Sequence, residues 1–332
     1  MGFKLSVLDL CPLGSGFTAT QALENTLDLA RLADQLGYER YWLAEHHNMP
    51  GIASTAPEIM IGQVARVTER IRVGSGGIML PNHTPLKVVE TFKMLEALFP
   101  GRIDLGLGRA PGTDPWTAQA LRKSKTDIGQ NFPEQLIELL SFASGEFPDD
   151  HPYRNIKAVP VETALPPVWL LGSSDFSAIL AAKVGLHFAF AHHINDADAV
   201  PAMRSYRTDF QPSRWQQEPH ALITVSAICA ETEEEANYHA KSLDLTFLRL
   251  IHGTPGLLPT PEEAMAYEYT ADDRLLTGSF RHRLFVGTPE QVGQGIVQLM
   301  EQTGADEVMI NSMIHSHTAR KRSYELLAKT LL

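Results

Sequence analysis

Arg40-Tyr41-Trp42-Leu43-Ala44-Glu45-His46-His47 decides how this chain is read. Residues 40–44 read as a short buried strand. A carboxylate and two imidazoles follow with no turn residue between them. Titratable groups at the end of a buried strand are unfavourable unless they face a partner or a site, and perturbed groups gather at functional sites. Strand side chains alternate between faces. Ala44 and His46 are therefore expected to point inward together, and His47 outward against a helix.

The same unit recurs on both sides of this stretch. Residues 3–8 read as a strand, and Leu23, Leu27, Ala30 and Leu36 keep helical spacing until Gly37. A helix through Ile61 and Val64 leads to a strand from Ile71 that runs into Gly74-Ser75-Gly76-Gly77. A helix from Pro85 stops at Pro100-Gly101, and residues 103–107 are the fourth strand. Further strands are expected at 168–171, 187–191, 222–230 and 307–311, with helices between. Alternating strands and helices with short links imply a parallel sheet with right-handed crossovers. About eight such units make the expected fold class α/β, a (β/α)8 TIM barrel with insertions. A doubly wound sheet is the runner-up.

Three segments interrupt the rhythm. Residues 114–127 and 145–167 read as polar surface excursions. Residues 250–284, rich in Pro and Gly, are expected to form a mobile excursion that closes over the barrel mouth. No shift in composition marks a boundary, so residues 1–332 are expected to form a single domain.

The 332 residues carry 39 acidic against 28 basic side chains, a formal net charge of −11. That balance argues against nucleic acid or an anionic membrane as a partner. No run is long and apolar enough to span a bilayer, and the first ten residues read as a strand rather than a signal peptide. The expected location is the cytoplasm. Cys11 and Cys229 are the only cysteines, and free thiols are expected.

The unusual residues fall at one end of the strands: Asp9, Glu45-His46-His47, Ser75-Gly76-Gly77, Gly106-Leu107-Gly108-Arg109, Gly172-Ser173-Ser174 and His192-His193. The opposite ends carry ordinary helix stops such as Gly37, Gly185 and Gly304. In a barrel, chemistry lies at the C-terminal ends of the strands. Gly76-Gly77 suits close approach by a flat ligand or a bulge. Arg109 suits a phosphate clamp. Gly172-Ser173-Ser174 ahead of a helix suits either an anion seat or a plain N-cap. Gly106-x-Gly108 is not a dinucleotide fingerprint, because Pro111 occupies the sixth position.

Together these stretches resemble the bacterial luciferase-like flavin monooxygenases over nearly the whole chain. The likeness rests on Trp42 to His47, Val73-Gly74-Ser75-Gly76-Gly77-Ile78, the run from Pro100 to Arg109, and Gly287-Thr288-Pro289-Glu290. Leu5-Ser6-Val7-Leu8-Asp9-Leu10 and Arg109-Ala110-Pro111-Gly112-Thr113 are most similar to the single-type, MsnO8-like subgroup.

The resemblance implies a barrel enzyme, homodimeric, that uses reduced FMN (FMNH2) and O2 on a small organic substrate. A separate NAD(P)H-dependent reductase would supply the FMNH2. It implies His46, with Glu45, as the catalytic pair. It places Ser75, Gly76 and Gly77 under the flavin ring, with a non-proline cis peptide at Gly76-Gly77. It gives the phosphate to Arg109, Gly172, Ser173 and Ser174. The reactive cysteine near the flavin in luciferase itself falls at Gly108, which argues against light emission. The family also holds deazaflavin F420 users.

Two readings of other classes compete. In a metal-dependent hydrolase, Glu45, His46, His47, His83, His192 and His193 would supply ligands. Asp9 without a His-x-His on the first strand, and Arg109 beside the metal, speak against it, and no metal is expected. The other is a non-catalytic flavin-binding or partner subunit, which the intact Glu-His-His disfavours.

Overall fold

The computed structural model describes residues 4–122 and 131–332. Ten strands are found among them: β1 Leu5–Asp9, β2 Arg40–Leu43, β3 Arg72–Ser75, β4 Ile78–Met79, β5 Ile103–Gly108, β6 Val168–Gly172, β7 His187–Ala191, β8 Ala221–Cys229, β9 Leu284–Gly287 and β10 Glu307–Asn311. All their pairings are parallel. The order runs β10-β1-β2-β3-β5-β6-β7-β8, and β10 also pairs with β8, so the sheet closes into a barrel. Strands β3 and β4 form one barrel position, interrupted at Gly76–Gly77, and both pair with β5. This is the (β/α)8 barrel expected from the alternation, and the doubly wound alternative falls because the sheet has no open edge between β8 and β10.

The helices close as the sequence implies. Ala19–Leu36 has a Thr18/Gln21 capping box and ends at left-handed Gly37. Gly185 and Gly304 end Asp175–Val184 and Pro289–Thr303 in the same way. The main core lies between barrel and helices, built from outward strand residues such as Tyr41, Leu43, Phe188 and Val225.

Inside the barrel the layers are distinct. The N-terminal end holds Arg40, Arg72, Asp104 and Glu307 in mutual ion pairs. Above them lie Trp42 and Trp169, edge to face at 5.3 Å, with Leu8, Leu222 and Met309. Above that layer the barrel opens.

The excursions hold more structure than their composition implied. Residues 250–284 contain helices Pro261–Ala266 and Ala271–Arg281, each with a capping box, Thr260/Glu263 and Thr270/Asp273. Strand β9 follows and extends the far half of β8, Ser226–Cys229. Helix Pro115–Arg122 occupies part of the first excursion, whose remainder lies outside the described residues. Cys11 and Cys229 are free and buried. Among the described residues no helix is long and apolar enough to cross a membrane.

Candidate active site

The C-terminal mouth holds a cavity of about 340 Å³, within the usual range for small-molecule sites. Its floor is Leu8, Trp42, Ala189 and Met309. Ala44, His46, Gly76, Gly77, Arg109, Gly172, Ser173 and Ser174 form much of its wall. Strand parity accounts for the inward set on β2 and its continuation: Trp42, Ala44 and His46 line the cavity, while Tyr41 and Leu43 join the outer core.

Two residues expected at the site stand behind its wall, and parity is again the reason. Glu45 alternates with His46 and is fully buried. It accepts hydrogen bonds from Met79 N–H at 2.8 Å and Asn82 Nδ2 at 3.1 Å, and meets His47 Nε2 at 2.9 Å and His83 Nε2 at 2.9 Å. Burial opposes its charge, but His83, His47 and the Met79 N–H outweigh that and hold its carboxyl below the usual range. Glu45 therefore positions the strand end and does not reach the cavity. His47 turns to Glu45 rather than simply packing on a helix. Ser75 pairs in register with outward Leu43. Its hydroxyl donates to Gly106 O at 2.8 Å and accepts from Gly106 N at 3.0 Å, tying β3 to β5.

Gly76–Gly77 is a cis peptide, as the resemblance implied. The wall leaves little room for a side chain at either glycine, and least at Gly77, where the obstacle is backbone. A Cβ on Gly76 would sit 2.7 Å from Leu8 Cδ1, and one on Gly77 would sit 2.8 Å from the Gly106 carbonyl.

His46 has a buried Nδ1 without a hydrogen-bond partner. Burial pushes its pKa down to about 4, against the pull of Glu45, so the ring is neutral at pH 7. A second imidazole, His193, was named in the sequence only as a conceivable metal ligand. It lines the same cavity. Burial lowers it to about 4 as well, and its Nδ1 lies 3.1 Å from Thr224 O. The signal was available: on β7, Ala189 and Ala191 face inward, and His193 continues their parity.

Ser174 is the N-cap of Asp175–Val184, and its side chain makes no capping hydrogen bond. The first backbone N–H groups of a helix are left without intrahelical partners. Arg109 is exposed beside this terminus, its guanidinium 4.3 Å from the Phe176 ring centroid. Gly172 admits no Cβ, which would fall 2.4 Å from Ser177 Oγ. An uncapped helix start, two hydroxyls and an arginine form a fitting seat for a phosphate. The remaining candidates disperse. Asp9 is held by Arg320 at 2.7 Å, by Cys11 N–H at 2.7 Å and by the Tyr41 hydroxyl. His192 lies against Phe285. Among the described residues no three His, Cys, Asp or Glu side chains converge as a metal site.

A sequence model of the luciferase-like monooxygenase family matches residues 3–307. An Escherichia coli K12 protein described as a luciferase-like monooxygenase is 42% identical over 321 residues, 97% of this chain and 95% of that one. The N-acetyl-S-alkylcysteine monooxygenase of Bacillus subtilis is 35% identical over 331 residues, covering 99% and 98%. The solved structure of apo-MsnO8 matches at a TM-score of 0.91 and 38% identity, covering 99% of each chain. The chain belongs to the luciferase-like monooxygenase family. Its relatives' activities make it an oxidoreductase by class. An FMN complex of a diketocamphane monooxygenase constituent and an F420-dependent secondary alcohol dehydrogenase share the fold at 19% and 14% identity.

Proposed function

We propose that this protein is the oxygenase of a two-component system, using reduced FMN and O2 to oxidise a small organic substrate. The observation that carries this is the mouth itself. A phosphate seat at Arg109, Ser173 and Ser174 shares one cavity with the side-chain-free strip Gly76-Gly77 and with His46. Gly172 keeps that seat open, and Ser75 and Glu45 support the wall from behind. Reduced flavin supplies the electrons that activate dioxygen. The protein binds and orients it, excludes water with the Trp42 floor, and holds neutral His46 ready to accept or donate a proton at a ring nitrogen.

A separate NAD(P)H-dependent reductase supplies the FMNH2 in this reading. A 22% identical Acinetobacter baylyi relative is named as the oxygenase component of trigonelline monooxygenase, which supports it. The location is the cytoplasm. Residues 250–284 open and close over the mouth of this single domain. Exposed Ile59, Met94 and Leu98, on neighbouring helices, support a homodimer. The test is anaerobic titration with reduced FMN and, separately, with reduced F420, read by protein fluorescence. Saturable binding of FMNH2 is expected. Binding of F420 alone would reassign the cofactor, and binding of neither would reject the reading.

A further inference from the structure

Beside the first cavity lies a second chamber of about 260 Å³. The two share only Leu10 and His193. No Asp, Glu, Lys or Arg lines the second chamber. Its wall includes Leu243, Leu284, Met313 and the stacked pair Phe247–Phe280, whose ring centroids are 4.3 Å apart. Two polar side chains in the wall are already engaged. Thr246 Oγ1 donates to Ser242 O at 2.8 Å, and Asn311 Nδ2 donates to Leu8 O at 3.0 Å. A charge brought in here, away from His193, would lose its water without a ready replacement.

The roof comes from the excursion. Pro255, Gly256 and Leu258 line the chamber. Leu258 N–H donates to Leu13 O at 3.0 Å, and Ser15 N–H donates to Leu258 O at 2.9 Å. At the junction, the Thr224 carbonyl can only accept, so His193 Nδ1 carries the proton and Nε2 is left as an acceptor.

We propose that this chamber seats an uncharged, apolar arm of the substrate, and that His193 Nε2 accepts a hydrogen bond from a donor at the end of that arm nearest the first cavity. The chamber's binding chemistry stands on its own lining. Only its role as the substrate seat rests on the flavin reading.

Calorimetric titration tests it, using 1-hexanol, 6-hydroxyhexanoate and hexyl methyl ether as probes. Hexanol should bind at least tenfold tighter than 6-hydroxyhexanoate, which must bury a polar group in either orientation. Leu243→Trp should abolish hexanol binding and leave reduced-FMN affinity within twofold of wild type. Phe280→Ala should instead shift preference from 1-hexanol toward 1-octanol. His193→Leu should erase the preference for hexanol over the ether, which lacks a donor. No hexanol binding, equal affinity for 6-hydroxyhexanoate, alcohol binding unmoved by both Leu243→Trp and Phe280→Ala, or a preference for hexanol over the ether that survives His193→Leu would overturn the proposal. A protein that binds hexanol as predicted but fails to bind reduced FMN keeps the chamber and loses the cofactor assignment.

Discussion

The two ends of the barrel use polar residues in opposite ways. At the N-terminal end, Arg40 bonds Glu307 at 2.8 Å and Asp104 at 2.8 Å, and Arg72 bonds Asp104 at 2.6 Å. The Arg40 guanidinium also lies 4.9 Å from the Trp169 ring centroid. Burial opposes the charges of Asp104 and Glu307, yet Arg40 and Arg72 hold the Asp104 carboxyl below the usual range, and His220 with Arg40 does the same for Glu307. At the C-terminal end, His46 Nδ1 has no partner, Ser174 makes no side-chain cap, and exposed Arg109 rests on the Phe176 ring. Buried polar groups that are fully paired serve the fold. Those left unpaired at the other end are available to a ligand. Thus the paired Arg40–Asp104–Glu307 network reads as structure, while the unpaired His46 Nδ1 and the uncapped Ser174, both in the cavity wall, read as a site.

This contrast breaks first at Arg40. Arg40→Ala leaves two buried carboxylates short of a partner and should destabilise the protein by about 3–5 kcal/mol, read by urea denaturation. The folded fraction should keep its affinity for reduced FMN. A stable variant with lost flavin affinity would put the site at the wrong end.

Gly77→Val tests where wall and site meet. Its side chain runs into the Gly106 carbonyl and Leu171, so both stability and flavin binding should fall, stability by about 1–3 kcal/mol. A variant of full stability would mean that the wall is softer than these contacts imply.

Arg109→Ala should separate the two properties in the other direction. Reduced-FMN binding should weaken by about 1–3 kcal/mol, the scale of a charged hydrogen bond, while the urea midpoint stays put. A shifted midpoint with unchanged binding would make Arg109 structural.

The smallest effect belongs to the Glu45–His83 pair behind the wall. Burial disfavours the charge of His83, but Glu45 outweighs it and raises the pKa. The stabilisation this gives is fully present below the unfolded value of about 6.5 and is lost as pH rises through the folded one. The Glu45 pKa is lowered, so its contribution is present above the unfolded value and is lost as pH falls through the folded one. His83→Ala should therefore lower stability by about 1 kcal/mol at pH 6 and by less at pH 9. An equal difference at both pH values would remove the ion pair from the account.

The barrel was legible because its strands and helices alternate without long breaks, and His46 was legible because period-2 alternation fixes it from Trp42 and Ala44. The same rule places Glu45 and Ser75 behind the wall, but a resemblance names whole motifs and does not separate the two faces of a strand. His193 was missed as a site residue because its doublet with His192 was read as a unit, although the alternation from Ala189 and Ala191 separates the two. The helices within residues 250–284 hid behind Pro and Gly, although Thr260/Glu263 and Thr270/Asp273 are capping signatures readable in the sequence. Strand β9 is four residues long and gains its order from β8, a tertiary cause that no local pattern carries.

The central claim is that the glycine strip and the uncapped helix start hold one flavin mononucleotide. A crystal structure of the protein soaked with FMN tests this most directly. The account predicts the phosphate on the backbone N–H groups after Ser173 with Arg109 beside it, and the ring against Gly76–Gly77 within reach of His46. A phosphate bound away from Arg109 and Ser174, or a ring outside the cavity floored by Trp42, would contradict it.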